Sequence, residues 1–312
     1  MSVLGRRVIE AVVVLVLASI PVFLIIHLAP GDPALMLLGV EAPKETVAAM
    51  RVRLGLDQPL WWQYWTWVRG AATGNLGRSV MTDFTVADLL GKRVPATLLL
   101  AASATLLACA IALPLGILAA VKRGTWFDVV VTALTSVVIS VPAFWLGILL
   151  VIAFSLQLNW LPAGGYAALL DNPRQALRLL VLPSATLAAY VAAILTRFIR
   201  TSLVEALGQD YVRTARSKGL SPARVIVRHG LRNALIPAVT VLGVQFGRLL
   251  AGTIIVEAIF AWPGLGQLML GAINNRDYPV VQGAFLVFVV AVIASNLLTD
   301  LLYTLIDPRI RV

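Results

Sequence analysis

Long apolar segments separated by shorter polar connections are the dominant pattern of this chain. A helix needs about 20 mostly apolar residues to cross the ~30 Å hydrocarbon layer of a bilayer. Segments of that length predict an all-α integral membrane protein with six transmembrane helices, which lie near residues 9–29, 96–121, 128–155, 179–199, 234–258 and 280–305.

The first apolar segment shares one feature with a secretory signal peptide, because Arg6 and Arg7 precede it. Its apolar part is longer than the ~7–15 residues typical of a signal peptide. Pro-Gly-Asp-Pro follows it at residues 30–33, where a signal peptide would carry a cleavage site between small residues. We therefore interpret the segment as an uncleaved first membrane helix.

The composition supports a membrane protein and excludes several other classes. Hydrophobic residues make up 60% of the chain and charged residues 13%, against about 25% charged residues in soluble domains. This balance excludes a soluble globule, a disordered chain and a coiled coil. The single cysteine, Cys109, excludes an intrachain disulfide.

The net charge of +10 would suggest nucleic-acid binding in a soluble protein. Here the positions of Lys and Arg explain it, because cytoplasmic loops of membrane proteins carry an excess of both. Basic residues concentrate at the amino terminus, at Lys122 and Arg123, and in the connection 197–232. The sequence therefore predicts that both termini are cytoplasmic, and it leaves no role for nucleic acid.

The long outer segment 30–95 contains a stretch rich in aromatic residues after Pro59, with Trp61, Trp62, Tyr64, Trp65 and Trp67. Aromatic rings concentrate at the headgroup level of membranes. We interpret this stretch as an interfacial helix. A ligand-stacking surface is the alternative.

The inner connection 200–233 reads as helix, break, helix. Residues 210–218 are compatible with a helix, Gly219 can adopt the left-handed conformation that ends one, and Ser221-Pro222 is a typical restart. A folded element without an apolar span of its own has to pack against something. It is either a docking element for a soluble cytoplasmic partner or a basic loop that lies on anionic lipid.

The chain lacks the common catalytic and nucleotide-binding motifs. No Gly-x4-Gly-Lys-Ser/Thr phosphate loop occurs, and His27 and His229 fall on opposite sides of the predicted membrane, which excludes a two-His metal site. Arg248 and Glu257 are the clearest ionisable residues of the spans, and each has either a functional or a structural role. No series of acidic residues occurs at mid-membrane, which argues against a self-powered carrier.

The inner connection resembles the cytoplasmic loop of binding-protein-dependent ABC importer permeases. Their general pattern is Glu-Ala-Ala, three residues, then Gly; here Arg213, Thr214, Ala215 and Gly219 stand at those positions. This departure is typical of the dipeptide, oligopeptide, glutathione and nickel branch of the family. Two stretches of the chain, Asp210–Gly219 and His229–Ala234, resemble the corresponding stretches of that branch.

Other motifs extend the resemblance over nearly the whole chain, in the order of that branch. They identify the chain as similar to the "B"-type permease of the two found in such systems. These motifs are 28–33, 54–60, 74–79, 256–266 and 276–279, with Asn75 where Asp is common.

The resemblance implies the type I importer permease fold in a bacterial cytoplasmic membrane, and a permease that is not itself an enzyme. Residues 1–95 would form the first helix with the external segment, and residues 96–312 the transporter core, including the coupling loop 200–233. The partners would be a homologous "C"-type permease, two ATPases that hold ATP and Mg, an external binding protein and membrane lipid. This chain would carry no cofactor or metal.

The resemblance also assigns roles to residues. Those expected to couple the permease to the ATPases are Asp210, Tyr211, Arg213, Thr214, Ala215, Arg216, Lys218, Gly219, Arg224, Arg228 and His229. Gln245, Arg248 and Glu257 are expected at the translocation pathway or its outer gate. Those expected to face the binding protein are Trp61, Trp62, Trp65, Trp262, Gly264 and Asp277.

The substrate implied by this branch is a short peptide or a glutathione-like molecule, with a nickel chelate or another small solute as the alternative. Outside the class, a self-powered carrier or channel and a membrane sensor remain open. Transport by the chain alone would indicate the carrier, and partner binding without transport would indicate the sensor.

Overall fold

The structure is a computed structural model that describes residues 3–28, 33–38, 42–53 and 55–306. The sequence 29–32, Leu54 and the basic residues Arg309 and Arg311 lie outside these described residues, as do the motif predictions made on them. Within the described ranges, the regular structure is helical, apart from one isolated β-bridge between Arg78 and Thr85.

The described helices follow one another along the chain with mostly short connections. They are α1 Val3–Leu28, α2 Pro33–Leu38, α3 Lys44–Arg53, α4 Leu60–Ala72, α5 Val86–Val121, α6 Trp126–Ser140, α7 Ala143–Leu150, α8 Pro173–Leu207, α9 Asp210–Ser217, α10 Pro222–Arg224, α11 Arg232–Ile259, α12 Leu265–Asn274 and α13 Tyr278–Ile306. Two π-helical turns continue α7 and α10, over Val151–Gln157 and Val225–Leu231.

Four of the described helical segments are long and apolar enough to cross a membrane by themselves: Val86–Val121, Pro173–Leu207, Pro222–Ile259 and Tyr278–Thr299. A fifth span results if α6 is combined with α7 and its π-helical turn. In α1 the apolar part is shorter, Ile9–Leu24.

The third predicted span, residues 128–155, is not a single helix. The chain bends by 104° between α6 and the segment Ala143–Gln157. Val141 is extended, and Pro142 precedes the first residue of α7. Pro has no amide hydrogen to donate, and it disfavours helical backbone in the residue before it. The apolar pattern continues through the bend, which is why the pattern alone predicts one continuous span.

The described chain divides into two compact units. Unit 1 comprises Met1–Pro95 and Leu268–Val290, and unit 2 comprises Ala96–Gln267 and Ala291–Val312. In unit 1, α4 packs on α1: the hydroxyls of Tyr64 and Ser19 are 2.7 Å apart, and the rings of Tyr64 and Trp67 contact Phe23.

Unit 2 is built around α8, which packs against α6, α7 and α11. α5 contacts α8 at Ser103 and Ser184, whose hydroxyls are 2.7 Å apart. Further along, a Cβ added to Gly116 would lie 2.9 Å from the side chain of Ile199. The residue numbers rise along both helices from the first contact to the second, so the two helices run parallel. A row of small residues on α5 that are fully buried permits the close approach: Ala101, Ala104, Ala108 and Ala112.

Candidate functional site

The apolar side of α9 attaches this short helix to the rest of unit 2. Val212 and Ala215 are buried with Val225 of the following π-helical turn, and Leu207 and Leu220 pack against this cluster. Residues three positions apart lie on the same face of a helix. Helices of about two turns are not stable alone in water, so this packing is what fixes α9 in place.

The opposite side of α9 is polar and exposed. Arg213 forms an ion pair with Asp210 one turn earlier, and both side chains are largely in solvent. Thr214, Arg216 and Lys218 are exposed beside them. Exposed ion pairs contribute at most about 1 kcal/mol, so the pair can be exchanged for contacts with a partner at little cost.

Gly219 ends this helix in the way that the sequence predicts. Its φ is +77°, a conformation that glycine adopts without strain, and its amide donates to the Arg216 carbonyl at 2.9 Å. Ser221 then caps α10 by position and Pro222 follows, although the Ser221 side chain makes no capping hydrogen bond.

From Pro222 to Ile259 the backbone forms one helical rod, through the π-helical turn and α11. Arg224 and Arg228 lie exposed on its first turns, and His229 is half-buried. The Asn233 amide donates to the Tyr211 hydroxyl at 2.9 Å. The structure therefore places the predicted coupling residues on two helices that pack on each other, and the second of them continues into α11.

An ion pair that sequence reasoning missed joins the start of α6 to α8. The Arg200 guanidinium donates to both oxygens of the Asp128 carboxylate, at 2.7 Å to Oδ2, and Asp128 is buried. The Gly124 amide donates to the same oxygen at 3.0 Å. Two parallel hydrogen bonds fix the geometry of an arginine–carboxylate pair. The one signal in the sequence is that both charges fall near the same predicted membrane surface.

Glu257 is the most completely buried charged residue among those described, with 0% of its surface exposed. Its Oε1 accepts from the Thr97 hydroxyl at 2.7 Å, and its Oε2 accepts from the amides of Gly266 at 2.7 Å and Gln267 at 3.1 Å. Thr97 in turn accepts from the Leu265 amide at 2.8 Å. The first amides of a helix have no partner within it; here Thr97 and Glu257 supply the acceptors for α12.

Two glycines make room for this carboxylate. A Cβ added to Gly264 would lie 2.2 Å from Glu257 Oε1, and one added to Gly266 would lie 2.4 Å from the Ile254 Cα. Both distances are far below van der Waals contact, so a side chain at either position would displace the turn. The motif 262–266 is therefore a structural requirement of the buried carboxylate.

The other two residues expected at the pathway or outer gate differ from Glu257 in exposure and in hydrogen bonding. Arg248 is exposed on α11. Gln245 is buried, and its Oε1 has no hydrogen-bond partner among the described residues. The three side chains therefore differ in burial and in hydrogen bonding, and their transport role stays a prediction.

The residues expected to face the binding protein fall into two groups. Trp61, Trp62 and Trp65 are exposed on α4. Trp262 is 1% exposed, and its indole donates to the Ala96 carbonyl at 2.9 Å. Its ring also meets that of Tyr166 edge-on.

Asp277 and Gly264 belong to the buried group as well. Asp277 is buried in unit 1, where the Ser79 hydroxyl donates to it at 2.5 Å. Gly264 lies against Glu257. Neither they nor Trp262 offer an exposed surface, because each is occupied by contacts within its own unit.

Models of known protein families match almost the entire length of the chain. The family model described as "Binding-protein-dependent transport system inner membrane component" matches residues 112–312. The corresponding amino-terminal model matches residues 1–101.

Two curated relatives are similar from end to end. The glutathione transport system permease protein GsiC of Escherichia coli O6:H1 is 44% identical over 306 residues, which cover 98% of this chain and 97% of the relative. A Brucella abortus protein named as a candidate peptide transport system permease is 44% identical over 310 residues, with 98% of each chain covered.

Among solved structures, the fold is similar to a chain of the MetNI methionine ABC transporter in an inward facing conformation. The TM-score is 0.57 at 20% sequence identity, with 70% of this chain and 96% of that chain covered. At this identity the likeness concerns the fold alone.

Proposed function

The chain belongs to the family of binding-protein-dependent transport system inner membrane components and is a permease component of an ABC importer, and on that premise we propose that it imports short peptides or glutathione-like molecules. The end-to-end identity to a glutathione permease supports the substrate class. A nickel chelate or another small solute of the same branch is the second candidate.

The proposed assembly contains a second, homologous permease, two ATPases and an external binding protein in a bacterial cytoplasmic membrane. The proposed topology has six spans, with α1 as the first span, the bent pair of α6 and α7 as the third, and both termini inside. Residues 1–95 would form the first helix with the external segment, and residues 96–312 the transporter core. ATP and Mg would be held by the ATPases, and no cofactor by this chain.

The proposed coupling element is α9 with Gly219, α10 and the π-helical turn. The observation that carries this proposal is its two-sided construction: Val212 and Ala215 anchor α9 in the chain, while Arg213 and Lys218 remain exposed. A groove on an ATPase would receive the exposed side. Because α10 and the π-helical turn continue without interruption into α11 and α9 packs on that turn through Val225, a displacement by the ATPase would move a membrane helix and open the pathway to the other side.

The proposal is tested by reconstituting the whole importer in proteoliposomes with ATP inside and the binding protein outside. We expect uptake of a radiolabelled dipeptide or of glutathione that requires both ATP and the binding protein. Uptake of nickel chelate without uptake of either peptide would overturn the substrate class. Uptake by this chain alone along a gradient would indicate a self-powered carrier instead.

A further inference from the structure

A cleft of about 610 Å³ lies in unit 2 between the end of α5, the end of α8 and the segment that follows α9. Its volume falls within the ~300–1,000 Å³ typical of small-molecule sites. The described lining residues are mostly apolar and include Arg123 and Arg216, and none of them is acidic.

The apolar wall of the cleft is an extension of a packed core. Ala120 is buried in a cluster with Leu203 and Ala234, and Leu207 and Ile226 pack against that cluster while also facing the cleft. Such a wall is held in place whether or not a ligand is present. It offers a preformed surface for a hydrocarbon chain.

The two arginines give the cleft its charge. Arg123 lies in the short connection after α5, and Arg216 lies on the last turn of α9, and both are exposed. Asp128 at the start of α6 interacts electrostatically with Arg123, but both of its oxygens already accept hydrogen bonds from Arg200, and one also accepts from the Gly124 amide. Because Arg200 balances the charge of Asp128, the two arginines that line the cleft leave it positively charged.

The proposed topology places the cleft near the inner surface of the membrane. On the topology proposed above, α5 reaches the inner surface of the membrane at Val121, and Trp126 is exposed just after it. Exposed tryptophans are typical of the headgroup level. Arg123, two residues after Val121, would then lie at the depth of phosphate groups, and Arg216 lines the same cleft.

We propose that this cleft binds one anionic phospholipid of the inner leaflet. Its phosphate would lie between Arg123 and Arg216, and one acyl chain would lie along Leu207 and Ile226. Basic pockets at the cytoplasmic side of membrane helices recognise anionic headgroups in this way. Because Arg216 belongs to α9, the bound lipid would also connect the proposed coupling element to the connection after α5. The proposal rests on the proposed topology.

The test is native mass spectrometry of the purified full-length chain in detergent micelles. The probes are phosphatidylglycerol and phosphatidylcholine with identical acyl chains. We expect tighter binding of phosphatidylglycerol, a loss of about fivefold in Arg123→Gln or Arg216→Gln, and a loss of about 25-fold in the double variant. Ile226→Trp retains both charges but fills the space beside the apolar wall of the cleft. We expect this variant to reduce binding of phosphatidylglycerol as well.

The matched control is Arg232→Gln, which removes an exposed arginine of α11 that does not line the cleft. We expect this control to bind phosphatidylglycerol as the parent chain does. Equal affinity for the two lipids, or an equal loss in Arg232→Gln, would overturn the proposal. Full displacement by inorganic phosphate would overturn it too, because a free anion would then be the ligand. Lipid binding is measured without ATP or transport, so this result is independent of the substrate assay.

Discussion

Glu257 shows at the scale of one residue how a buried acidic side chain can serve structure. Its carboxylate receives hydrogen bonds from Thr97, Gly266 and Gln267 within a turn that also buries Trp262. A buried donor that loses its partner costs about 1–3 kcal/mol. The turn between α11 and α12 therefore depends on this one side chain, whatever part it has in gating.

We expect Glu257→Ala to destabilise the protein strongly, because it leaves three donors of the turn without an acceptor, two of them buried and one half-buried. At about 1–3 kcal/mol for each unsatisfied group, the melting temperature should fall by several degrees. Glu257→Gln keeps the shape and one acceptor, so we expect a smaller decrease. The measurement is thermal unfolding of the purified chain in detergent.

Arg248→Ala is the matched control, because it removes a charged side chain from the same helix at an exposed position. We expect its melting temperature to be unchanged. Equal stability of Glu257→Ala and Arg248→Ala would show that the hydrogen bonds to Glu257 do not hold the turn. Substrate uptake in the reconstituted importer separately tests Arg248, and unaltered uptake in Arg248→Ala would remove its pathway assignment.

At the scale of one element, the length of α9 depends on the glycine that ends it. Gly219 and Gly124 both follow a helix in unit 2, with φ of +77° and +78°, and a Cβ added to either would meet no heavy atom within 4 Å. Left-handed backbone costs other residues roughly 1–2 kcal/mol. The two positions therefore require the same left-handed backbone conformation, and only Gly219 lies in the proposed coupling element.

We expect Gly219→Val to reduce substrate-stimulated ATP hydrolysis of the whole importer severalfold, while insertion of the chain in the membrane is retained. The strain of valine at Gly219 would be relieved by unwinding the last turn of α9, which would move Arg216 and Lys218. Gly124→Val carries the same strain, and we expect it to retain the stimulation. An equal effect of the two variants would mean that general destabilisation, and not coupling, explains the loss.

At the scale of the whole molecule, the distribution of charge sets the orientation that we propose. On that proposal, the basic residues of α9 and α10 lie on the cytoplasmic side by the positive-inside rule, and the connection between α7 and α8 lies on the other side. Leu170 in that connection is 96% exposed, and Lys218 is exposed after α9. The proposed orientation places these two positions on opposite sides of the membrane.

We expect cysteine labelling to distinguish the two sides. Cys109 is the only cysteine, so Cys109→Ala gives a chain without thiols to which Leu170→Cys or Lys218→Cys is added. A membrane-impermeant maleimide should label Leu170→Cys in intact cells and Lys218→Cys only after permeabilisation. The thiol-free chain is the control for background. The reverse pattern would contradict the orientation, and with it the exposure of α9 to cytoplasmic ATPases.

Much of the fold and of the candidate site follows from patterns close together in the sequence. The apolar segments predict where long helices occur, and Gly219 with Ser221-Pro222 predicts where α9 ends and α10 begins, because these signals depend on backbone preferences within a few residues. The bend at Pro142 does not follow from them, since the residues on both sides of it are equally apolar and a hydropathy count does not register direction.

The sequence by itself determined the class of protein, the family and the helix–break–helix element. Only the tertiary structure decided that Trp262 and Asp277 are interior, that Asp128 meets Arg200, and that Glu257 caps α12. The physical reason is that each of these contacts joins segments distant in sequence or folded back in a tight turn. An apolar or aromatic residue of a membrane protein has the same appearance in the sequence whether lipid or the chain itself covers it, and packing alone makes that choice.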